Sequence, residues 1–134
     1  MPVNLEKVSH PTAQDLIDLE KIYADYPTDL NWTDLNIQLE ENANVSLYAL
    51  RFNDRYLGAF TALQQADSIE IKHLCVRVVT RQRHVGRDLL RLFKAIEPQQ
   101  NLVFNHCLTE DPAISRLFAQ AGFKQQNQQF IYQP

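Results

Sequence analysis

The sequence predicts one α/β or α+β domain over residues 1–134, a sheet with helices packed on it in the order βααβββαβαβ. Three observations lead there. A length of 134 residues suits a single hydrophobic core. Stretches with apolar residues at every second position alternate with stretches at helical spacing, with no repeat and no linker between them. Turn and stop residues separate the stretches: Pro27, Asn53-Asp54, Pro98 and Gly122.

"VNLEKV" reads as a short first strand. In "PTAQDLIDLEKIYADYP", Thr12 caps a helix and Asp15, three residues on, makes a capping-box variant. Leu16, Leu19, Tyr23 and Tyr26 recur at helical spacing, and Pro27 stops the helix. "NWTDLNIQLEEN" is a second helix with Trp32, Leu35 and Leu39 on one stripe. "VSLYALRF" and "RYLGAFTAL" are strands rich in aromatic and β-branched residues. Asn53-Asp54 joins them, and both residue types tolerate left-handed backbone, so a tight hairpin follows. "QADS" is a further turn. "IEIKHLCVRV" is a third long strand, in which Ile69 and Ile71 alternate with Glu70 and Lys72. From His84 the period changes, with Val85, Leu89, Phe93 and Ile96 on one helical face until Pro98. "NLVFNHC" is a strand. "PAISRLFAQAGF" is a helix with Pro112 near its start and Gly122 at its end. "QQNQQFIYQ" closes the chain as a hairpin-like tail.

Composition excludes several classes. A hydrophobic fraction of 45% is that of a folded soluble chain rather than a disordered one. No apolar run reaches the ~18 residues that span a membrane. "MPVNLEKVSHPT" has no basic region followed by an apolar stretch, so no signal peptide is expected and a cytoplasmic location is the default. Cys75 and Cys107 form no CxxC pair and read as core thiols in a reducing compartment. His73 with Cys75, and His106 with Cys107, have no structural-zinc spacing, so no metal is expected.

Charge is distributed unevenly. From Lys72 to Lys94 seven basic residues and one acid give +6, while the six basic and fifteen acidic residues elsewhere give −9. A basic patch on an acidic body suggests a local anionic ligand, not a nucleic-acid face. No aromatic residue lies between Lys72 and Arg91 to stack bases. The patch centres on "LCVRVVTRQRHVGRDLL", Leu74 to Leu90, where a strand ends and a helix begins. The first N–H groups of a helix lack intrahelical partners, and its dipole favours negative charge there. A diphosphate at that point gains backbone bonds as well as the charge of Arg81, Arg83 and Arg87. Gly86 allows close backbone approach. The plainer alternative is a solvated basic turn that only begins a helix.

This segment resembles motif A of the GNAT acyl-CoA-binding superfamily: an apolar strand, then (R/Q)-x-x-G-x-(G/A), then a helix. Here the pattern reads Arg81-Gln82-Arg83-His84-Val85-Gly86, flanked by Leu74 and Val76 on one side and Leu89 and Leu90 on the other. "RLFAQAGF" resembles the later segment of that superfamily that ends in Gly-Phe, Gly122-Phe123 here. The resemblance implies a mixed, mostly antiparallel sheet flanked by helices. "DLIDLEKIYADYP", "ALRFNDRYLGA" and "VRVVTRQRHVG" together are similar to the PanM/PanZ family of aspartate 1-decarboxylase maturation factors, in the same order. The segment 31–45 and the C-terminal tail depart from that family.

The resemblance implies CoA or acetyl-CoA as cofactor and aspartate 1-decarboxylase as partner. Docking on the proenzyme would promote its self-cleavage to the pyruvoyl form, and docking on the mature form would give feedback on β-alanine and pantothenate synthesis. Neither nucleic acid nor membrane is implied. By the same resemblance, Leu74, Cys75 and Val76 offer strand backbone to the pantetheine arm, and Thr80, Arg81, Gln82, Arg83, His84, Val85, Gly86 and Arg87 form the diphosphate loop. Arg51 and Asn53 match the partner-contacting hairpin. Read without it, Asn53 is a turn residue and Arg51 a charge at a strand end. His84 stands at the first glycine position of the motif, so His84→Gly is expected to preserve or tighten CoA binding.

Acetyl transfer needs a base for the amine and an acid for the leaving thiolate. The superfamily often uses a tyrosine in L-Y-x-x-x-G-F as the acid, and Phe118 stands there instead. Glu70 as base and Tyr132 as acid are weak candidates, read more simply as an exposed strand charge and a packed aromatic. Little or no acetyltransferase activity is therefore expected. An active N-acetyltransferase of a small amine or protein is the alternative.

Overall fold

The structure is a computed structural model describing residues 3–24, 31–77, 85–105 and 112–134. The elements run β1 (Asn4–Lys7), α1 (Ala13–Ala24), α2 (Trp32–Glu41), β2 (Val45–Phe52), β3 (Arg55–Gln64), β4 (Ser68–Val76), α3 (Val85–Ile96), β5 (Asn101–Asn105), α4 (Pro112–Gln120), β6 (Lys124–Gln126) and β7 (Gln129–Tyr132). The strands form one sheet in the order β1-β2-β3-β4-β5-β7-β6. Among the described residues only the β4–β5 pair is parallel. The expected order therefore holds through α4, and the tail divides into two strands around Asn127, whose φ is +57°.

Local chemistry explains the boundaries. Thr12 Oγ1 accepts from the Asp15 N–H at 3.1 Å, and Asp15 Oδ2 accepts from the Thr12 N–H at 3.1 Å, closing the capping box of α1. Asn31 caps α2 by accepting from the Asp34 N–H. Asn53 and Asp54, with φ of +49° and +64°, both take the left-handed backbone that a two-residue hairpin requires. Gly122, with φ of +93°, ends α4 in a Schellman motif: Gly122 N–H donates to Ala119 O and Phe123 N–H to Phe118 O. Pro27 lies outside the described residues.

The sheet is covered on both faces. On one, α3 and α4 bury Leu89, Leu90, Phe93 and Phe118 against Leu50, Phe60, Ile69 and Ile71. On the other, α1 and α2 bury Leu19, Ile22, Tyr23 and Leu35 against Leu47, Ala49, Tyr56 and Ala59. Two expected core positions are corrected. Leu16 is 38% exposed, and the position that α1 turns to the sheet is Ile22. Ile96, in the last turn of α3, is 45% exposed, and Leu90 joins the buried stripe. Spacing selects a helix face, not how far the core beneath it extends.

α1 is also fixed by charge. Asp18 is fully buried and accepts from Arg55 Nε at 3.0 Å, Arg55 Nη2 at 2.6 Å and the Tyr56 N–H at 3.1 Å. Burial raises the pKa of this carboxyl, but the Arg55 fork, the Tyr56 N–H and Gln14 outweigh burial and hold it below the usual carboxylate value. Asp15, also buried, pairs with Arg51 at 3.2 Å. The helix is thus bolted to the β2–β3 hairpin.

Candidate functional site

The site centres on an irregularity in β4. Ala59 faces Cys75 and Thr61 faces Lys72, so β4 carries one residue more than β3 over this span. The extra residue makes a β-bulge, in which His73 has φ of +53°, costly for a side-chain-bearing residue. Three side chains hold it. Tyr23 Oη donates to the His73 carbonyl at 2.8 Å. Thr61 Oγ1 lies 2.8 Å from His73 Nδ1 and donates to Lys72 O at 3.2 Å. The Cys75 thiol donates to Ile22 O in α1 at 3.2 Å. The bulge reverses the alternation of the strand. Leu74 and Val76 join Ile69 and Ile71 on the α3 face, while Cys75 goes beneath α1.

At the same place the β4–β5 ladder ends among the described residues. It runs from Ser68↔Asn101 to Ile71↔Phe104, yet β4 continues to Val76. The end of β4, with Leu74, Cys75 and Val76, extends beyond that ladder. α3 begins beside that end. A Cβ on Gly58 would come 3.0 Å from Leu89 Cδ1, 3.1 Å from Val85 Cγ1 and 3.2 Å from Val76 Cγ2. Glycine on β3 is what lets the first turn of α3 settle against the end of β4. A Cβ on Gly86 would lie 3.0 Å from Leu117 Cδ2 of α4, so its lack of a side chain also serves α3–α4 packing.

Strand backbone from Leu74 to Val76 and a helix N-terminus with Val85, Gly86 and Arg87 are thus brought together, with Arg87 exposed on the first turn of α3. This pairing suits an extended ligand with an anionic end. Thr80, Arg81, Gln82, Arg83 and His84 lie outside the described residues, as does Cys107. Part of the basic window serves the fold. Lys72 pairs with Glu70 at 3.5 Å and Arg91 with Asp88 at 3.4 Å. Lys94 donates to the Ala121 carbonyl at 2.6 Å, at the end of α4, and lies over the Tyr132 ring at 4.4 Å.

Glu70 is not the exposed strand charge expected from alternation. It is 7% exposed, because both faces of β4 are covered and β3 and β5 flank it. Tyr132 is a packed aromatic, beneath Lys94 and 5.6 Å from the Phe123 ring. Phe118 is fully buried, stacked on Phe104 at 4.2 Å and edge-on to Phe123 at 5.0 Å. Arg51 binds within the molecule: to Glu6 at 2.9 Å, to Asp15, to the Asp54 carbonyl at 3.0 Å and over the Tyr56 ring at 4.3 Å. The Arg51 hydrogen bond holds Glu6 below its usual pKa, while burial, and next the Glu6 contact, push Tyr56 up. Asn53 is exposed at the tip of the hairpin.

The residues that sequence reading missed are Tyr23, Thr61 and Gly58 as builders of the site. A lone glycine inside a strand signals close approach by another element, so Gly58 had a readable cue. Thr61 and His73 also line a cleft of about 380 Å³ between α2 and the sheet, with Leu35, Glu41 and Lys72. Burial, and next the charge of Lys72, hold the His73 imidazole below its usual pKa, so it is neutral at pH 7. Among the described residues no three His, Cys, Asp or Glu side chains are grouped to hold a metal, and no helix is long and apolar enough to cross a membrane.

This architecture defines the class: a GNAT fold. The solution structure of a putative N-acetyl transferase, YhhK from E. coli, bound to coenzyme A, superposes with a TM-score of 0.77 at 27% identity, covering 100% of both chains. Within that class the chain belongs to the PanZ family, whose acetyltransferase (GNAT) domain matches residues 2–130. It is 38% identical over 88 residues to the PanD regulatory factor of Escherichia coli K12 and 33% identical over 90 residues to that of Salmonella typhimurium LT2. These matches cover 66% and 67% of this chain and 61% and 65% of the relatives, so the chain spans less than two thirds of their length.

Proposed function

We propose that this chain, as a single domain over residues 1–134, binds CoA or acetyl-CoA and regulates aspartate 1-decarboxylase. The observation that carries the reading is the end of β4, continuing past the β5 ladder beside the N-terminus of α3, in a chain of this family. Leu74, Cys75 and Val76 would give backbone bonds to the pantetheine arm. Thr80 through Arg87 would hold the diphosphate, with the α3 N-terminus and Arg87 supplying positive charge. The bound acyl-CoA supplies an anionic, extended ligand that reports CoA supply. Arg51 stiffens the β2–β3 hairpin from within, and Asn53 at its tip faces the decarboxylase. Docking on the proenzyme promotes self-cleavage to the pyruvoyl form, and docking on the mature enzyme gives CoA-dependent feedback. The setting is cytoplasmic, with no part for nucleic acid or membrane.

Co-incubation with the proenzyme of the same organism tests this. Cleavage should depend on the chain and respond to acetyl-CoA. A proenzyme that matures equally well alone removes the activator role, and calorimetry that finds no CoA binding removes the reading. Phe118 at the tyrosine position supports a sensor rather than a catalyst, since its ring lies wholly inside an aromatic cluster. One observation favours the second reading, an N-acetyltransferase of a small amine. His73, neutral at pH 7 at the bulge of β4 and lining the α2 cleft, has the chemistry of a general base. An amine panel with acetyl-CoA separates the two: rapid acetylation of any member favours the enzyme.

A further inference from the structure

We propose that α1 couples the β2–β3 hairpin to the terminal segment of β4, with Tyr23 as the positioning residue of that coupling. Its bearing on CoA rests on the reading above. Its mechanical part does not.

α1 is anchored at both ends by bonds to different parts of the sheet. Near its start, Asp15 holds Arg51 and Asp18 holds Arg55 and the Tyr56 N–H. Near its end, Tyr23 Oη holds the His73 carbonyl and Ile22 O accepts the Cys75 thiol. Asp18 and Tyr23 are five residues apart, about 7.5 Å along a helix axis. An α-helix does not stretch over that length, so a shift at one anchor reaches the other.

Neither anchor yields easily. Asp18 is fully buried, and leaving its charge there without Arg55 is costly, so helix and hairpin move together. His73 holds a left-handed backbone that the surrounding bonds must maintain. A ligand that takes backbone bonds from Leu74 to Val76 acts one residue away from that carbonyl. Its effect on the bulge passes through Tyr23 into α1 and reaches Arg55 and the turn at Asn53-Asp54. Linkage makes the coupling reciprocal: a change at the hairpin alters ligand affinity by the factor with which ligand alters the hairpin. Packed interiors transmit such strain because they lack room to absorb it.

The test uses the full chain, amide NMR and calorimetry with CoA. Tyr23→Phe removes one hydroxyl and leaves the ring in place. Without ligand, it should shift the amide resonances of Asn53, Asp54 and Tyr56 as well as those around His73. On adding CoA, the hairpin shifts of the wild type should shrink in the variant, while those of Gly86 and Arg87 persist. CoA affinity should fall about fivefold, the loss of one neutral hydrogen bond. From the other end, Arg55→Lys keeps the charge but loses the fork, and should weaken CoA binding about threefold from outside the CoA site. A hairpin spectrum untouched by Tyr23→Phe, with or without CoA, overturns the coupling. So does undiminished CoA affinity in both variants. If the wild type binds no CoA, the functional reading fails, and the ligand-free spectra alone decide whether α1 couples hairpin and strand.

Discussion

Gly58→Ala makes the site's geometry testable with a single methyl group. The added Cβ would sit 3.0 Å from Leu89 Cδ1, 3.1 Å from Val85 Cγ1 and 3.2 Å from Val76 Cγ2. All three neighbours are branched side chains in the core or packed against it, so each must give by a few tenths of an ångström. Such overpacking costs about 1–3 kcal/mol. Alanine recovers about 0.4–1 kcal/mol by narrowing the unfolded ensemble. The net is a loss of about 1–2 kcal/mol, or roughly 3–8 °C in melting temperature for a chain of this length. Val85 and Leu89 stand in the first two turns of α3 and Val76 ends β4, so relief comes by moving the helix N-terminus away from the strand. CoA affinity should fall with stability, by about tenfold, or ~1.4 kcal/mol, because helix N-terminus and strand end would no longer meet the ligand together. Thermal unfolding and calorimetry read the two effects. Val85→Ala added to Gly58→Ala makes room for the methyl group and should restore about 1 kcal/mol in a double-mutant cycle. A Gly58→Ala chain that melts at the wild-type temperature and binds CoA unchanged would show that this contact sets neither the helix nor the site.

Other outcomes follow from the charges and the core. Asp18→Asn should cost about 2 kcal/mol at pH 7 in urea unfolding, from weaker bonds to Arg55 and Tyr56. Because the Asp18 carboxyl is held below its usual value of 3.8, its stabilisation is present above that pH and lost as pH falls through the folded-state value. The gap between wild type and Asp18→Asn should therefore narrow below about pH 4, and a constant gap would contradict the charged pairing. The His73 imidazole is held below 6.5, so folding disfavours its protonation and stability should decline as pH drops below 6.5. His73→Asn, which tolerates the left-handed backbone, should flatten that decline, and an unchanged slope would place its origin elsewhere. Phe118→Tyr should lose about 1–3 kcal/mol by burying a hydroxyl among aromatic rings. It should gain no acetyl transfer, and measurable turnover would mean that this ring edge faces the ligand.

Much of the fold was legible because its signals are local. Thr12 with Asp15, Asn53 with Asp54 and Gly122 fix boundaries through bonds or backbone angles that span only a few residues. The start of α3 was legible for the same reason, since the apolar period changes within a few residues there. Burial along the elements was less legible. Ile96 keeps the spacing of the core stripe of α3 yet is exposed, and Glu70 alternates like a surface charge yet is enclosed. Both depend on what lies above or beside them, and spacing carries no record of that.

The sequence by itself determined the order of elements through α4 and the capping and turn chemistry. Those are properties of neighbouring residues and of apolar period. Only the tertiary structure decided that β4 bulges at His73, that Leu74 and Val76 thereby face α3 while Cys75 faces α1, and that Gly58 admits the helix to the strand end. The physical reason is that one extra residue in a strand reverses every side chain after it. That residue is held by Tyr23 and Thr61, fifty and twelve positions away, and so has no local signature.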